Sequence, residues 1–161
     1  MILIALGANL PSAAGPPAAT LGSALGRLKQ CGITIVSVSS FYQTPAWPDP
    51  AEPPYVNAVA SVATRLQPGE LLLLLHDVEA SFGRVRGAAN ASRTLDLDLL
   101  DYDGRIMGSE VVLPHPRMAE RSFVLAPLAE IAPGWLHPLT RLGAGDLLAG
   151  LPDRAAPKKL A

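Results

Sequence analysis

The stretch Arg93-Thr94-Leu95-Asp96-Leu97-Asp98-Leu99-Leu100 alternates leucine with an acidic residue, which is the two-residue period of a β-strand. Side chains two positions apart share one face of a strand, so we expect Asp96 and Asp98 side by side and the alternate leucines in the core. Two adjacent carboxylates repel each other, and a hard divalent cation such as Mg²⁺, which prefers oxygen ligands, relieves that repulsion. The pattern predicts a metal site on one face of a buried strand.

Arginines precede the acidic pair. Arg93 lies directly before it, and Arg84 and Arg86 lie shortly upstream in a polar loop. The planar guanidinium group binds phosphate oxygens through paired hydrogen bonds, and carboxylates for a metal beside such arginines are typical of metal-assisted phosphoryl chemistry. The stretch therefore indicates a phosphoryl-transfer site.

The sequence around this strand predicts a β-α-β-β-α-β order, which is the ferredoxin-like split arrangement of an α+β sandwich. Additional elements follow at the C-terminal end, beginning with a hairpin at Asp103-Gly104 that returns through Ile106 and Met107. We read Asp101 and Asp103 as turn formers. The expected strands cover residues 2–6, 33–39, 55–64 and 95–102, and the expected helices cover 20–30, 68–82, 121–131 and 139–148.

Composition favours one globular domain over residues 1–161, because hydrophobic residues make up 49% and charged residues 17% of the chain. A net charge of −1 gives no electrostatic reason to expect nucleic acid or an anionic membrane as a partner. The single cysteine, Cys31, permits no internal disulfide and suits a reducing compartment, so we expect a cytoplasmic protein. We also expect a monomer. Residues 153–161 read as a frayed tail.

Several blocks of the chain, in order and spacing, resemble the 6-hydroxymethyl-7,8-dihydropterin pyrophosphokinases of folate biosynthesis. The resemblance covers nearly the whole chain. The blocks are Ala5-Leu6-Gly7-Ala8-Asn9-Leu10, Ser39-Ser40-Phe41-Tyr42-Gln43-Thr44-Pro45, Pro54-Tyr55-Val56-Asn57-Ala58, Gly83-Arg84-Val85-Arg86, the acidic stretch itself, Leu113-Pro114-His115-Pro116-Arg117-Met118 and Arg121-Ser122-Phe123-Val124-Leu125.

The resemblance implies transfer of a pyrophosphoryl group from ATP to the hydroxymethyl group of a reduced pterin, with AMP released. It implies two Mg²⁺ ions held by Asp96 and Asp98, and a catalytic role for these residues together with Arg84 and Arg93. The substrate hydroxyl attacks the β-phosphorus, so no protein nucleophile is needed, and we assign no general base.

The remaining assignments also come from the resemblance. Glu79, three residues after His76 on a predicted helix, is expected to orient an arginine without touching substrate. The expected ATP-binding residues are His76, Arg84, Arg86, Arg93, His115 and Arg121. The expected pterin-binding residues are Thr44, Pro45, Trp47, Tyr55, Asn57 and Phe123, of which Phe123 stacks on the ring and Asn57 matches its pyrimidine edge.

The chain departs from the family in the segment 87–92, which lacks the tryptophan and the extra arginine that many relatives carry before the signature arginine. Trp47 is a candidate to supply aromatic cover in its place. Three other interpretations stay open: a different two-metal phosphoryl or nucleotidyl transferase, a non-catalytic relative, and an RNA-binding module. The last lacks the aromatic platforms and basic surface that RNA recognition requires.

Overall fold

A computed structural model describes residues 1–85, 87, 89, 91–152 and 156–161 of the protein. The strands are β1 (Ile2–Ala8), β2 (Thr34–Val38), β3 (Tyr42–Thr44), β4 (Tyr55–Ala63), β5 (Asp96–Tyr102), β6 (Met107–Gly108), β7 (Val112–Leu113) and β8 (Lys158–Lys159). The α-helices are α1 (Pro17–Gln30), α2 (Pro68–Ser81), α3 (Ser122–Ile131) and α4 (Ala144–Ala149), and a short 3-10 helix covers Met118–Glu120.

The main sheet is antiparallel and runs β5-β1-β4-β3-β8, with β2 also pairing with β4. Its central strand β1 places Gly7 opposite both Asn57 on β4 and Asp96 on β5. Two residues earlier, Ala5 lies opposite Val59 and Asp98. These residues therefore share one face of the sheet, as the alternation in β5 predicted.

Each face of the sheet has its own apolar core. One core contains Ile4, Leu6 and Leu97 with the buried side chains of α1 and α2. The other contains Leu3, Val59 and Leu100 with the buried side chains of α3 and α4. Asp96, Gly7 and Asn57 continue the second face beyond this core, so the carboxylate pair lies on the rim of a packed surface.

The prediction that the chain turns after β5 and pairs back with it as a hairpin is wrong. Asp103 and Gly104 do form a turn, with φ of 53° and 69°, and the Asp101 carboxylate accepts from the Gly104 N–H at 2.9 Å. However, β6 pairs with β7 instead of β5. The His115 N–H donates to the Leu100 carbonyl at 2.8 Å and so occupies part of the outer edge of β5.

The chain end also departs from prediction. Residues 153–155 of the predicted frayed tail lie outside the described residues, but Lys158–Lys159 forms β8 beside β3, and the Leu160 N–H donates to the Phe41 carbonyl at 2.8 Å. The side chain of Leu160 packs on the first core, which explains why this end is ordered. No helix within the described residues is long and apolar enough to cross a membrane.

Candidate active site

The carboxylate of Asp96 is held by two arginines. Arg84 Nη1 donates to Asp96 Oδ1, and Arg93 Nη1 donates to Asp96 Oδ2 at 2.9 Å. Arg93 also donates from Nε to the Ala91 carbonyl at 3.1 Å. Charge-assisted contacts of this kind are stronger than neutral hydrogen bonds, so Asp96 has a fixed orientation on the sheet face.

Asp98 has a different cationic partner. Arg121 Nη1, at the start of α3, lies 3.1 Å from Asp98 Oδ2. His115 Nε2 lies 3.7 Å from the same oxygen, and His115 Nδ1 accepts the Arg117 N–H at 3.1 Å. Burial lowers the pKa of His115 despite the opposing influence of Asp98, so the imidazole favours its neutral form.

Glu79 on α2 holds Arg84 in place. Its buried Oε1 accepts from Arg84 Nη1 at 2.8 Å and from the Leu97 N–H at 2.7 Å. Burial raises the pKa of Glu79 to about 7, although the Leu97 N–H and Arg84 oppose the shift. The expected contact between Glu79 and an arginine is thus present. Arg84 in turn has a raised pKa, because Asp96 and Glu79 outweigh the effect of its burial.

Among the expected pterin-binding residues, Asn57 and Thr44 contact each other. Asn57 Nδ2 donates to Thr44 Oγ1 at 2.9 Å, and both residues are buried on neighbouring strands. Tyr55, at the start of β4, donates from its hydroxyl to the Ala91 carbonyl at 3.3 Å. Phe123 lies in the first turn of α3 under Arg121, whose guanidinium carbon is 5.6 Å from the ring centroid.

Trp47 and Tyr55 line a cavity of about 320 Å³ between two loops. Its other walls include Asn9, Glu52 and Ser92. The Trp47 side chain is 61% exposed, which is unusual for so large an apolar group, and Pro45 is exposed just after β3. The structure thus places an accessible aromatic surface in the same cavity as Tyr55, which is paired with Thr44 across β3 and β4.

Two expected ATP-binding residues are less well defined by the geometry. His76 lies on α2, one turn before Glu79, and is half-buried. Arg86 lies outside the described residues. The other expected ATP-binding residues, Arg84, Arg93, His115 and Arg121, all converge on the carboxylate pair through the contacts given above.

Asn9 organises the site, yet no role for it was predicted from the sequence. Its Nδ2 donates to the Pro53 carbonyl at 3.1 Å and to Ser92 Oγ at 2.9 Å, and its Oδ1 accepts the Arg93 N–H at 2.8 Å. Ser92 also donates to Glu52 Oε2 at 2.9 Å. Asn9 therefore joins the end of β1 to the loop before β4, at Pro53, and to the loop before β5, at Ser92 and Arg93. The signals in the sequence were its place in the resemblance block 5–10 and its position immediately after a buried strand.

The donor set of Asp96 and Asp98 suits a hard divalent cation, since both supply carboxylate oxygens from one face of a strand. Their side chains are 25% and 29% exposed. The described residues contain no group of three or more side chains positioned to hold a metal ion. A cation there would take its remaining ligands from phosphate and water, as Mg²⁺ commonly does in proteins.

The chain matches one family of known proteins. The family described as 7,8-dihydro-6-hydroxymethylpterin-pyrophosphokinase (HPPK) matches residues 3–133. A 2-amino-4-hydroxy-6-hydroxymethyldihydropteridine pyrophosphokinase of Synechocystis sp. is 40% identical over 138 residues, which are 84% of this chain and 68% of the relative. The Methylorubrum extorquens protein of the same name is 41% identical over 132 residues, 81% of each chain.

Solved structures agree on the fold. The crystal structure of Plasmodium falciparum HPPK-DHPS with SDX-DHP matches with a TM-score of 0.68 at 12% identity, over 92% of this chain. This chain spans 43% of that longer one, and a likeness at this identity shows a shared fold alone. Together with the family match over residues 3–133, these comparisons show that the chain belongs to the 7,8-dihydro-6-hydroxymethylpterin-pyrophosphokinase family.

Proposed function

We propose that this protein transfers a pyrophosphoryl group from ATP to 6-hydroxymethyl-7,8-dihydropterin, yielding the pterin diphosphate and AMP for folate biosynthesis. The observation that carries the proposal is the position of the carboxylate pair. Asp96 and Asp98 share a sheet face with Asn57 and are held by three arginines, so phosphate-binding and heterocycle-binding groups lie next to each other.

In the proposed reaction, the pterin hydroxyl oxygen bonds to the β-phosphorus while the bond from the α–β bridging oxygen to that phosphorus breaks. AMP leaves with the bridging oxygen, and the hydroxyl proton passes to solvent. Asp96 and Asp98 would hold two Mg²⁺ ions, which when bound neutralise charge on the triphosphate. Arg84 and Arg93 contribute donors for the phosphate oxygens, and no side chain is required as a nucleophile.

The ATP side of the site consists of Arg84, Arg93, His115 and Arg121. His76 is proposed towards the adenosine, and Arg86 is proposed to bind ATP or to anchor its loop. Arginine suits this role because its guanidinium stays charged at any working pH and matches two phosphate oxygens at once. The lowered pKa of His115 favours a neutral ring that donates one hydrogen bond and adds no charge.

The pterin side consists of Thr44, Pro45, Trp47, Tyr55, Asn57 and Phe123. The amide of Asn57 both donates and accepts, which suits the edge of a pyrimidine ring. Phe123 and Tyr55 offer aromatic surfaces to a flat heterocycle. The exposure of Trp47 beside the cavity supports the proposal that this residue replaces the aromatic cover missing from the segment 87–92.

Four further assignments belong to the same proposal. The antiparallel order β5-β1-β4-β2, with α1 connecting β1 to β2 and α2 connecting β4 to β5, supports the ferredoxin-like classification. We also propose that residues 1–161 act as one domain, that the protein is a monomer and that it works in the cytoplasm. Size-exclusion chromatography with light scattering tests the monomer directly.

The deciding experiment is a product assay with ATP, Mg²⁺ and 6-hydroxymethyl-7,8-dihydropterin. We expect AMP and the pterin diphosphate, with no product when EDTA is present. Asp98→Asn should lower turnover by at least about 100-fold, because it removes one of the two carboxylates that would hold the Mg²⁺ ions neutralising the triphosphate. Asp103→Asn is the matched control, since Asp103 pairs with the Met1 ammonium in the turn that follows the opposite end of β5 from Asp96. ADP as product would instead indicate γ-phosphoryl transfer and contradict the proposal.

A further inference from the structure

We infer that Arg121 and Arg93 act as resident counterions of the carboxylate pair, and that Asp98 and Asp96 exchange them for a divalent cation when a nucleoside triphosphate binds. The released guanidinium groups then bind the phosphates that arrive with the cation. This inference rests on the proposed function and adds a coupling between two ligands. It concerns the ion pairs that these arginines make with the two carboxylates before substrate binds.

The contacts show the carboxylates already neutralised by the protein itself. Both oxygens of Asp96 accept from arginine, and Oδ2 of Asp98 accepts from Arg121 at 3.1 Å. A guanidinium at this distance repels a divalent cation that approaches the same carboxylate, and the repulsion is only partly screened because the side chains are mostly buried. A cation without nucleotide must therefore compete with arginine for this site.

The arginines differ in how firmly they are anchored elsewhere. Arg84 keeps a second ion pair with the buried Glu79 at 2.8 Å, so it can turn towards phosphate without leaving the site. Among described contacts, Arg121 has Asp98 as its only carboxylate partner. Besides Asp96, the side chain of Arg93 contacts only neutral groups among the described residues, the Ala91 carbonyl and the Tyr55 hydroxyl. Arg121 and Arg93 are thus the residues suited to exchange.

The exchange makes the two ligands favour each other. A cation on Asp98 releases Arg121 for phosphate, and phosphate on Arg121 exposes Asp98 to the cation. Coupling between two binding equilibria is reciprocal, so each ligand raises the affinity for the other by the same factor. The inference therefore predicts that loss of Arg121 has opposite effects on the two ligands, which a general loss of structure does not produce.

The test measures Mn²⁺ binding by electron paramagnetic resonance in the absence of nucleotide. Arg121→Gln should bind Mn²⁺ about 3- to 10-fold more tightly than the unchanged protein, because it removes a competing cation. Arg27→Gln is the matched control for net charge, since exposed Arg27 donates only to Gln30 among the described contacts. Asp98→Asn added to Arg121→Gln should abolish the tighter Mn²⁺ binding, which would identify Asp98 as part of the Mn²⁺ site.

A second measurement uses a fluorescent ATP analogue in EDTA. Arg121→Gln should bind it more weakly than Arg27→Gln does, while Mn²⁺ binding moves the other way. Arg93→Gln should repeat both effects and replaces Arg121→Gln if circular dichroism shows the latter unfolded. Mn²⁺ binding that is unchanged or weaker in a folded variant would overturn the inference. The product assay on the unchanged protein would still report the proposed function separately.

Discussion

Gly7 lies so close to Asn57 that a Cβ atom on Gly7 would be 3.1 Å from Asn57 Oδ1. The same atom would be 4.0 Å from the Cβ of Asp96 on the opposite neighbouring strand. Gly7 therefore lies between the proposed pterin-binding residue Asn57 and the carboxylate pair. Because glycine has no side chain, the amide of Asn57 occupies the space beside it, and Thr44 accepts a hydrogen bond from that amide.

Gly7→Ala should weaken binding of the pterin by at least about 10-fold, because the new methyl group displaces a buried amide from its hydrogen bond. Binding of an ATP analogue should change far less, since no arginine atom of the described residues lies within 4 Å of the added Cβ. Isothermal titration with each ligand measures the two effects separately. Gly26→Ala on α1 is the control, because nothing lies within 4 Å of its added Cβ. Equal losses for both ligands would contradict this account of Gly7.

Asn9 supplies the second prediction. Asn9→Ala removes three side-chain hydrogen bonds that join β1 to the loop at Pro53 and to Ser92 and Arg93, and takes this partner from the Arg93 N–H. We expect a loss of about 2–3 kcal/mol in the free energy of unfolding, together with a raised KM for the pterin. Urea denaturation and steady-state kinetics measure the two effects.

Ser92→Ala is the comparison for Asn9→Ala, since it removes one of these bonds and the contact with Glu52. It should cost less stability than Asn9→Ala while still loosening the segment before Arg93. If Ser92→Ala raised the KM as much as Asn9→Ala, the loop contact alone would explain the effect. Asn9 would then not be the residue that joins the segments.

Glu79 gives a pH-dependent prediction. Its pKa is raised from 4.5 to about 7 in the folded protein, first of all by burial, so between these pH values the folded state binds more protons than the unfolded state. Stability must therefore fall as pH rises through this window, by up to about 3 kcal/mol from this group. In Glu79→Gln that fall should be absent.

Urea denaturation in EDTA from pH 4.5 to pH 8 tests this difference. Other titrating groups are common to both proteins, so the difference between the two curves isolates Glu79. Glu110→Gln, which changes an exposed carboxylate, should follow the unchanged protein throughout. Parallel curves for Glu79→Gln and the unchanged protein would show that Glu79 is ionised in the folded state well below pH 7.

The sequence was sufficient to predict the main elements because their patterns are local. The alternation in β5 correctly placed Asp96 and Asp98 on one face, and proline at the first turn correctly marked the start of α2 at Pro68. Family resemblance then selected side chains that the structure brings together around those carboxylates. Periodicity and motif spacing carry this information without any knowledge of distant contacts.

The features that could not be predicted depend on contacts between distant segments. Asn9 meets Ser92 across 83 positions, and β8 pairs with a strand more than a hundred residues earlier. The pairing of β6 with β7 was likewise missed, because the turn at Asp103-Gly104 gives no information about which edge the chain meets next. The ion pairs of Arg93 and Arg121 also follow from packing, although their residue types suggested phosphate as the partner.

Glu130 on α3 joins the tail and β3 to the helix that carries Phe123. Its carboxylate accepts from Tyr42 at 2.7 Å, from the hydroxyl and N–H of Ser40 at 2.8 and 3.1 Å, and from Lys159 at 3.4 Å. Burial opposes ionisation, but the hydrogen bonds from Tyr42 and Ser40 outweigh it and lower the pKa of Glu130 to about 2. Because Thr44 follows Tyr42 on β3, this carboxylate fixes two walls of the proposed pterin site relative to each other.

A carboxylate with a lowered folded pKa stabilises the protein above its unfolded pKa and loses that effect as pH falls. Glu130→Gln should therefore cost about 1–2 kcal/mol at pH 7, after allowance for partial exposure, and the deficit should shrink as pH falls from about 4.5 towards 2. It should also raise the KM for the pterin more than it lowers kcat, because Phe123 is loosened while the arginines are untouched. Glu120→Gln, at an exposed position, is the control for both readouts. A stability deficit independent of pH would mean that Glu130 acts through packing, whereas an unchanged KM would separate this end of α3 from the site.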